Sequence, residues 1–332
     1  MTTNEFDARA QVLLGDTANV ELQRAQTILR SENLNPSVSL ELFSDKDGVI
    51  CGINESVELL GKILPERGSE VWALDDGDSI KVNEVVMRIK APYSAIALYE
   101  SALTGILSSS TSWATAARQC VDMAGDTPVI SNGASGMHPN VAAVMDYSAI
   151  VGGCVGCSTI LGARMSQLTP FGTMPTSLPL IFGDTVTAAK AMDDHLPQGV
   201  PRISLVHVLQ DEAIEALNLA EGLGERLRGI FLNTPQERGG VTIELVNEVR
   251  ARLDLASAAH VEIFVGGDLN PKKIEQFSKT NSPISGFIVS KYISEAPQHF
   301  FNAELHEVDG KPVARRGRLP GPTANSKLSL VL

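Results

Sequence analysis

The chain has 332 residues, with 27 lysines and arginines against 39 aspartates and glutamates, a net charge of −12, and 43% hydrophobic residues. That length holds one barrel-sized domain plus a smaller one, and the acidic balance argues against a nucleic-acid or anionic-membrane partner. The first residues, MTTNEFDARA, are polar and make no secretory signal, so Cys51, Cys120, Cys154 and Cys157 are expected as free thiols in a cytoplasmic protein.

Taken in order, Val20–Arg30 spaces its apolar residues as a helix does, and Asn35–Pro36 stops it. The run from Val38 to Phe43 alternates like a half-buried strand, and Asp75-Asp-Gly-Asp78 signals a turn before a strand over Val85–Lys90. Three acids around one glycine also suit calcium, but the other ligands of a calcium loop are missing and a hairpin turn is the plainer reading. Residues 38–92 therefore read as a small β domain. From Ser94 to Ala124 the pattern is helical, apolar nearly all round over Ala95–Leu107. Within it, Arg118 either pairs with Glu100 or helps to hold an anion.

After Gly125 a unit repeats: apolar strand, small-residue loop, helix. Strands are predicted at Val129-Ile130, Ala149–Val151, Thr169–Phe171, Val200–Val206, Gly229–Leu232, Val261–Val265 and Ile284–Val289. Helices are predicted at Asp211–Leu227, Thr242–Leu255 and Pro271–Phe277, the last with Asn270 as N-cap. This alternation means a parallel sheet, and the number of units suggests a whole or incomplete α/β barrel, its mouth built by the loops that follow the strands. The expected division is 1–115 for an N-terminal helix and β-rich domain, 116–290 for the barrel, and 291–332 for a segment returning to the first domain. Cys154-Val-Gly-Cys157 has CxxC spacing but no second ligand pair, so packing is favoured over zinc. The short basic run Lys311–Arg318 reads as a solvated or subunit-facing tail.

Four phrases carry a resemblance: ILSSSTSWATAAR ending at Arg118, HPNVAAVMDYSAIVGGCVGCS starting at His138, GTMP ending at Pro175, and LPLIFGDTV starting at Leu178. They resemble the nicotinate phosphoribosyltransferases, in particular their compact bacterial and archaeal branch. The resemblance implies a type II phosphoribosyltransferase architecture, an α/β barrel with a β-rich N-terminal domain, assembled at least as a homodimer. It also implies a mouth that takes phosphoribosyl pyrophosphate, Mg²⁺ and nicotinate, in many members with ATP coupling through a phosphorylated histidine. Here Mg²⁺ enters only if the substrate carries a pyrophosphate, no protein metal site is assigned, and the partner expected besides a second copy is a small molecule, with no membrane.

The loops depart from the family pattern where contacts are expected. Ser135 stands for an arginine while His138 stays, and Thr176 stands for the phosphorylated histidine. His207 replaces an acid, Phe231 an arginine and Asn233 an aspartate. Gly266-Gly267-Asp268 replaces Ser-Gly-Gly, and Ser290-Lys291 follows Ile288-Val289 where a phosphate-binding glycine is usual. In the N-terminal segment, Asn19-Val20-Glu21-Leu22 replaces a phrase with two ring-stacking aromatics. The candidates are thus His207, His138 and Thr176 for catalysis, and Ser135, Arg118, Phe231, Asn233, Gly266, Gly267, Asp268, Ser290 and Lys291 for substrate. Three readings follow: an enzyme re-lined for a different metabolite or nucleotide, a catalytically silent homologue kept for binding or assembly, and a true nicotinate phosphoribosyltransferase that tolerates the changes.

Overall fold

The computed structural model describes residues 6–332. It divides into two compact units, one reaching to Thr115 and resuming at Ala296–Leu332, the other Ala116–Glu295; the boundary falls inside the helix Glu100–Ala124. In chain order the strands are β1 (Ser37–Ser44), β2 (Gly48–Val49), β3 (Glu70–Ala73), β4 (Ser79–Ile80), β5 (Val85–Pro92), β6 (Val129–Ser131) and β7 (Gly156–Cys157). They continue as β8 (Ile203–Leu205), β9 (Gly229–Leu232), β10 (Glu262–Val265), β11 (Gly286–Val289), β12 (Phe301–Val308), β13 (Lys311–Pro312) and β14 (Ser329–Leu330).

The first unit is built on a six-stranded sheet in the order β13-β12-β1-β5-β3-β14. In its centre Leu40 on β1 lies opposite Ile89 and Leu305. Leu40, Leu42, Val71 and Ile89 join Leu59 and Leu60 of the helix Ile53–Ile63 in one core. The alternation of β1 suggested one wet face, yet the whole run Val38–Ser44 is buried. The reason is Glu41, which faces away from that core and is covered by the chain's end: its carboxylate accepts from Thr323 N at 3.0 Å and from Arg88 Nε at 2.7 Å. The acidic turn has a structural use as well, because Asp76 Oδ1 accepts from Ile53 N at 2.8 Å and so caps that helix.

The second unit is a parallel sheet in the order β7-β6-β11-β10-β9-β8. It is completed by irregular chain: Phe171 N donates to Cys157 O and Met174 N to Ile203 O, each at 2.9 Å, so Phe171–Met174 spans from β7 to β8. Inside lie Ile130, Ile203, Leu205, Phe231, Phe264 and Ile288, with Phe171 and Val208 against them. These come from alternate positions of the strands, as the period of two requires.

Two predicted strands are corrected. Ala149–Val151 ends the helix Pro139–Val151, since a short apolar run bounded by glycines fits a buried helix as well as a strand. Thr169–Phe171 forms no ladder and leads into the closing segment. The strand between them is Gly156–Cys157, inside the CVGC phrase. Its two residues are too few to show a period.

Candidate functional site

Parallel strands deliver their following loops to one edge, where ligands of such sheets sit. At that edge the loops after β6, β9, β10 and β11 interlock through glycine. Asn132 N donates to Val289 O at 2.7 Å, and a Cβ on Gly133 would come within 3.0 Å of Ser290 O. A Cβ on Gly266 would lie 2.7 Å from the Phe231 ring, and one on Gly267 3.4 Å from Asn233 Oδ1. Gly267 and Asp268 both have left-handed backbone, φ +83° and +47°, turning the chain sharply before Asn270 caps the helix Pro271–Lys279 through Lys273 N at 3.0 Å. Below this rim Phe231 is 6% and Ile288 3% exposed, so aromatic and branched side chains fill the barrel interior.

The polar side of the mouth lies after β8 and β9. His207 meets Phe231 edge-on, ring centroids 6.5 Å apart. Its Nδ1 is buried without a hydrogen-bond partner. Burial lowers the imidazole's proton affinity below its usual range and the charge of Arg238 acts the same way, against the pull of the Phe231 backbone and the charge of Glu212. His207 is therefore a neutral ring near neutrality. Glu212, in the first turn of the helix Glu212–Leu223, is almost wholly buried; Thr234 Oγ1 donates to its Oε1 at 2.8 Å and Arg238 Nη2 to its Oε2 at 3.1 Å. Behind β6 a second buried carboxylate, Asp146, accepts from Ser131 Oγ at 2.8 Å and Thr159 N at 2.9 Å, fixing the loops after β6 and β7.

The other predicted residues are placed as follows. His138 is exposed and its Nδ1 accepts from Asn140 N at 3.2 Å, capping the helix Pro139–Val151. Ser135 is exposed in the single turn Ala134–Gly136, and Thr176 is exposed at the start of the helix Ser177–Phe182. Asp268 is exposed, and Lys291 stands exposed 3.9 Å from Glu295. Arg118 is half-buried with its guanidinium against Gly153, where its charge reaches the buried Cys154. Pairing with Glu100 is excluded by geometry: eighteen residues along one helix span about 27 Å. Burial pushes the Cys120 and Cys157 thiols up to about 12, so both are unreactive thiols.

Sequence reasoning missed Glu212, Thr234 and Arg238. An acid in the first turn after an Asp N-cap reads as helix capping, and an arginine in a polar Gly-rich loop reads as solvated. The available signal was that all three flank the strands whose ends were already under suspicion. As a cation site the mouth is poor: among the described residues no three His, Cys, Asp or Glu side chains converge for a metal, and Glu212 is committed to Thr234 and Arg238. A magnesium ion would have to be carried by substrate phosphates.

Comparison with known proteins agrees with this architecture. Residues 25–111 match the N-terminal domain and residues 113–297 the C-terminal domain of the quinolinate phosphoribosyl transferase models. The crystal structure of nicotinate-nucleotide pyrophosphorylase from Pyrococcus furiosus is similar with a TM-score of 0.88 and 34% identity, covering 98% of this chain and 85% of that one. A nicotinate phosphoribosyltransferase of Mycobacterium tuberculosis is 30% identical over 249 residues, 73% of this chain but 52% of the relative, so the match spans about half of that protein's length. The human nicotinic acid phosphoribosyltransferase shares the fold, with a TM-score of 0.73 at 16% identity over 92% of this chain and 77% of that one.

Proposed function

The chain belongs to the quinolinate phosphoribosyl transferase family, and from that premise we propose that its mouth serves a small metabolite or nucleotide less anionic than phosphoribosyl pyrophosphate. The observation that carries this is Phe231. It stands at the end of β9 where the family pattern places an arginine, and Gly266 leaves room for its ring. Binding and activating a pyrophosphate needs several cations aimed at its oxygens. Of the cations that follow the strand ends, Lys291 stands exposed 3.9 Å from Glu295 and Arg238 already faces a carboxylate. In this reading His207 acts as a neutral imidazole that accepts or donates one proton, Asn233 and Thr176 offer hydrogen bonds, and no catalytic step passes through a metal.

The test is an assay of phosphoribosyl pyrophosphate with nicotinate or quinolinate, with and without ATP, reading the pyridine mononucleotide. Removing one preorganised donor costs about 10²–10³ in rate, so product formation is expected to fall at least that far below a working family enzyme. Thr176→His alone should not restore it, because ATP coupling assists only a site that already binds both substrates. Robust turnover would return the chain to the nicotinate or quinolinate reaction, which the names of its relatives favour. Mass spectrometry of small molecules that co-purify with the protein then identifies the ligand.

The packing of Phe231 and Ile288 also favours a second reading, a silent homologue kept for binding or assembly. Absence of any co-purifying molecule, together with unchanged behaviour of His207→Ala, selects it. In either case the protein is proposed to act as a homo-oligomer in the cytoplasm. Leu180, Ile181 and Phe182 stand exposed in succession on one short helix, a patch suited to a second copy. Sedimentation as a monomer at micromolar concentration would contradict that assembly. Among the described residues no helix is long and apolar enough to cross a membrane.

A further inference from the structure

We propose that Arg238 is the residue with which the mouth recognises a single anionic group of its ligand, a carboxylate or a phosphate, and that Glu212 is the positioning residue that orients it. This rests on reading the mouth as a small-molecule site and adds the residue that sets its charge selectivity. A guanidinium has five N–H donors in a planar fork. Arg238 spends one of them, Nη2, on Glu212 Oε2 at 3.1 Å. The two partners differ in exposure: the Glu212 side chain is 3% exposed and that of Arg238 is 47%. One edge of the fork is therefore docked on a buried carboxylate and the other is open.

The docking is rigid. Glu212 cannot rotate freely because its second oxygen holds Thr234 Oγ1 at 2.8 Å. The loop is short and closed on itself: Arg238 N donates to Pro235 O at 3.0 Å and Gly240 N to the same oxygen at 3.1 Å. Gly239 and Gly240 both have left-handed backbone, φ +97° and +71°, which confines that turn to glycine. The charge of Arg238 also reaches the imidazole of His207, after β8. A planar fork held by one edge in a closed, rigid loop is the arrangement that takes one carboxylate or phosphate in bidentate fashion. It supplies one such contact, in keeping with a ligand that carries one anionic group.

The experiment is calorimetric titration of the full chain with nicotinate, which offers a carboxylate, and separately with ribose 5-phosphate, which offers a phosphate. The proteins are wild type, Arg238→Gln and Arg238→Lys, each at two salt concentrations. Wild type should bind at least one probe, and the probe that binds names the anion. Arg238→Gln should weaken that binding by about 10- to 100-fold, the loss of one charge-assisted contact. Arg238→Lys, which keeps the charge and loses the fork, should fall between. If Arg238→Gln is poorly folded, the double variant Arg238→Gln/Glu212→Gln removes both charges and takes its place. Wild-type affinity in a folded Arg238→Gln protein, or in the double variant, overturns the proposal while leaving the mouth a ligand site. Failure of wild type to bind either probe at millimolar concentration overturns the small-molecule reading and this proposal with it.

Discussion

Two arginine–carboxylate pairs in the parallel-sheet unit are finished to different degrees. Ahead of β8, on the edge opposite the mouth, Arg202 uses all five of its donors. Nε donates to Asp193 Oδ1 at 3.0 Å, Nη1 to the carbonyls of Pro197 at 2.8 Å and of Val200, and Nη2 to those of Asp193 at 2.9 Å and Leu196 at 2.8 Å. Asp193 takes Arg226 as well. At the mouth Arg238 gives one donor to Glu212 and leaves the rest to solvent. A buried guanidinium with every donor spent is a structural rivet: it satisfies the carbonyls that end the helix Thr185–His195 and start the next strand. An arginine docked by one edge has capacity left over, and the loop around it has the rigidity to aim that capacity.

The largest expected effect tests this contrast directly. Arg202→Ala leaves a buried aspartate with one partner fewer and takes a donor from four carbonyls, of which Pro197 O keeps Val200 N at 3.0 Å, and should destabilise the protein by about 3–5 kcal/mol. Arg238→Gln removes one hydrogen bond to a charged group and should cost about 1–2 kcal/mol. Urea unfolding of the two variants side by side measures both, and equal losses would mean that Arg238 is a rivet too.

A second test concerns how the mouth is lined. Gly266→Ala places a methyl group 2.7 Å from the Phe231 ring, which is 6% exposed and has little room to withdraw. Overpacking of this kind costs about 1–3 kcal/mol. Phe231→Leu, made together with Gly266→Ala, should recover most of that loss, showing that the ring and the glycine are one fitted pair. A double variant as unstable as the sum of the singles would show that the two positions do not communicate.

The sequence made most of the parallel sheet legible. Gly229–Leu232, Val261–Val265 and Ile284–Val289 are apolar runs of strand length with glycine or polar punctuation, and each holds a strand. What failed, failed for lack of pattern. The two-residue β7 has no period to detect, and Phe171–Met174 completes the barrel by two hydrogen bonds made outside any ladder. At the mouth, resemblance pointed to the strand ends, which is where the structure puts His207, Phe231, Asn233 and Gly266. It did not reveal the Glu212–Thr234–Arg238 group, because burial of Glu212 depends on how the helix Glu212–Leu223 packs, and nothing local distinguishes that acid from a solvated one. Nor did it show that His138 uses a ring nitrogen as a helix cap.

A third carboxylate extends the comparison to the β-rich unit. Asp193 has two arginines and Glu212 has one; among the described residues Glu55 has none and instead faces the charge of Asp76. Burial, and then that like charge, push its carboxyl up from 4.5 to about 7. A carboxyl raised in the folded state binds a proton that the unfolded chain has already lost. Stability from this group is therefore fully present below about 4.5 and is lost as the pH rises towards about 7. The full shift corresponds to about 3 kcal/mol, and solvent screening of a partly exposed group reduces it to on the order of 1–2 kcal/mol. Glu55→Gln should remove that slope from the urea midpoint measured between pH 4.5 and 7.5. Parallel curves for variant and wild type would mean that Glu55 finds a compensating partner in solution.

The smallest effect belongs to His207, and its sign is the reverse of that of Glu55. Burial and the Arg238 charge hold its proton affinity below that of an ordinary imidazole, so the unfolded chain takes up a proton at a pH where the folded one does not. Its contribution is fully present above the unfolded value of about 6.5 and is lost as the pH falls from there through the lower folded value. The groups that face it work in both directions: Arg238 resists protonation, while Glu212 and the Phe231 backbone favour it. Arg238→Gln should therefore shrink the acid-side loss, and His207→Gln should abolish it, when each is compared with wild type between pH 7.5 and 5.5. Asp47, Glu84 and Asp184, whose carboxyls are held low by their partners, also lose their contributions on acidification, but in the carboxylate range below this window. A ligand that puts one anion on Arg238 should act on His207 as Arg238→Gln does, since it cancels the same charge. The acid-side loss then becomes a readout of an anion on Arg238, and a ligand that leaves it unchanged does not pair with that arginine.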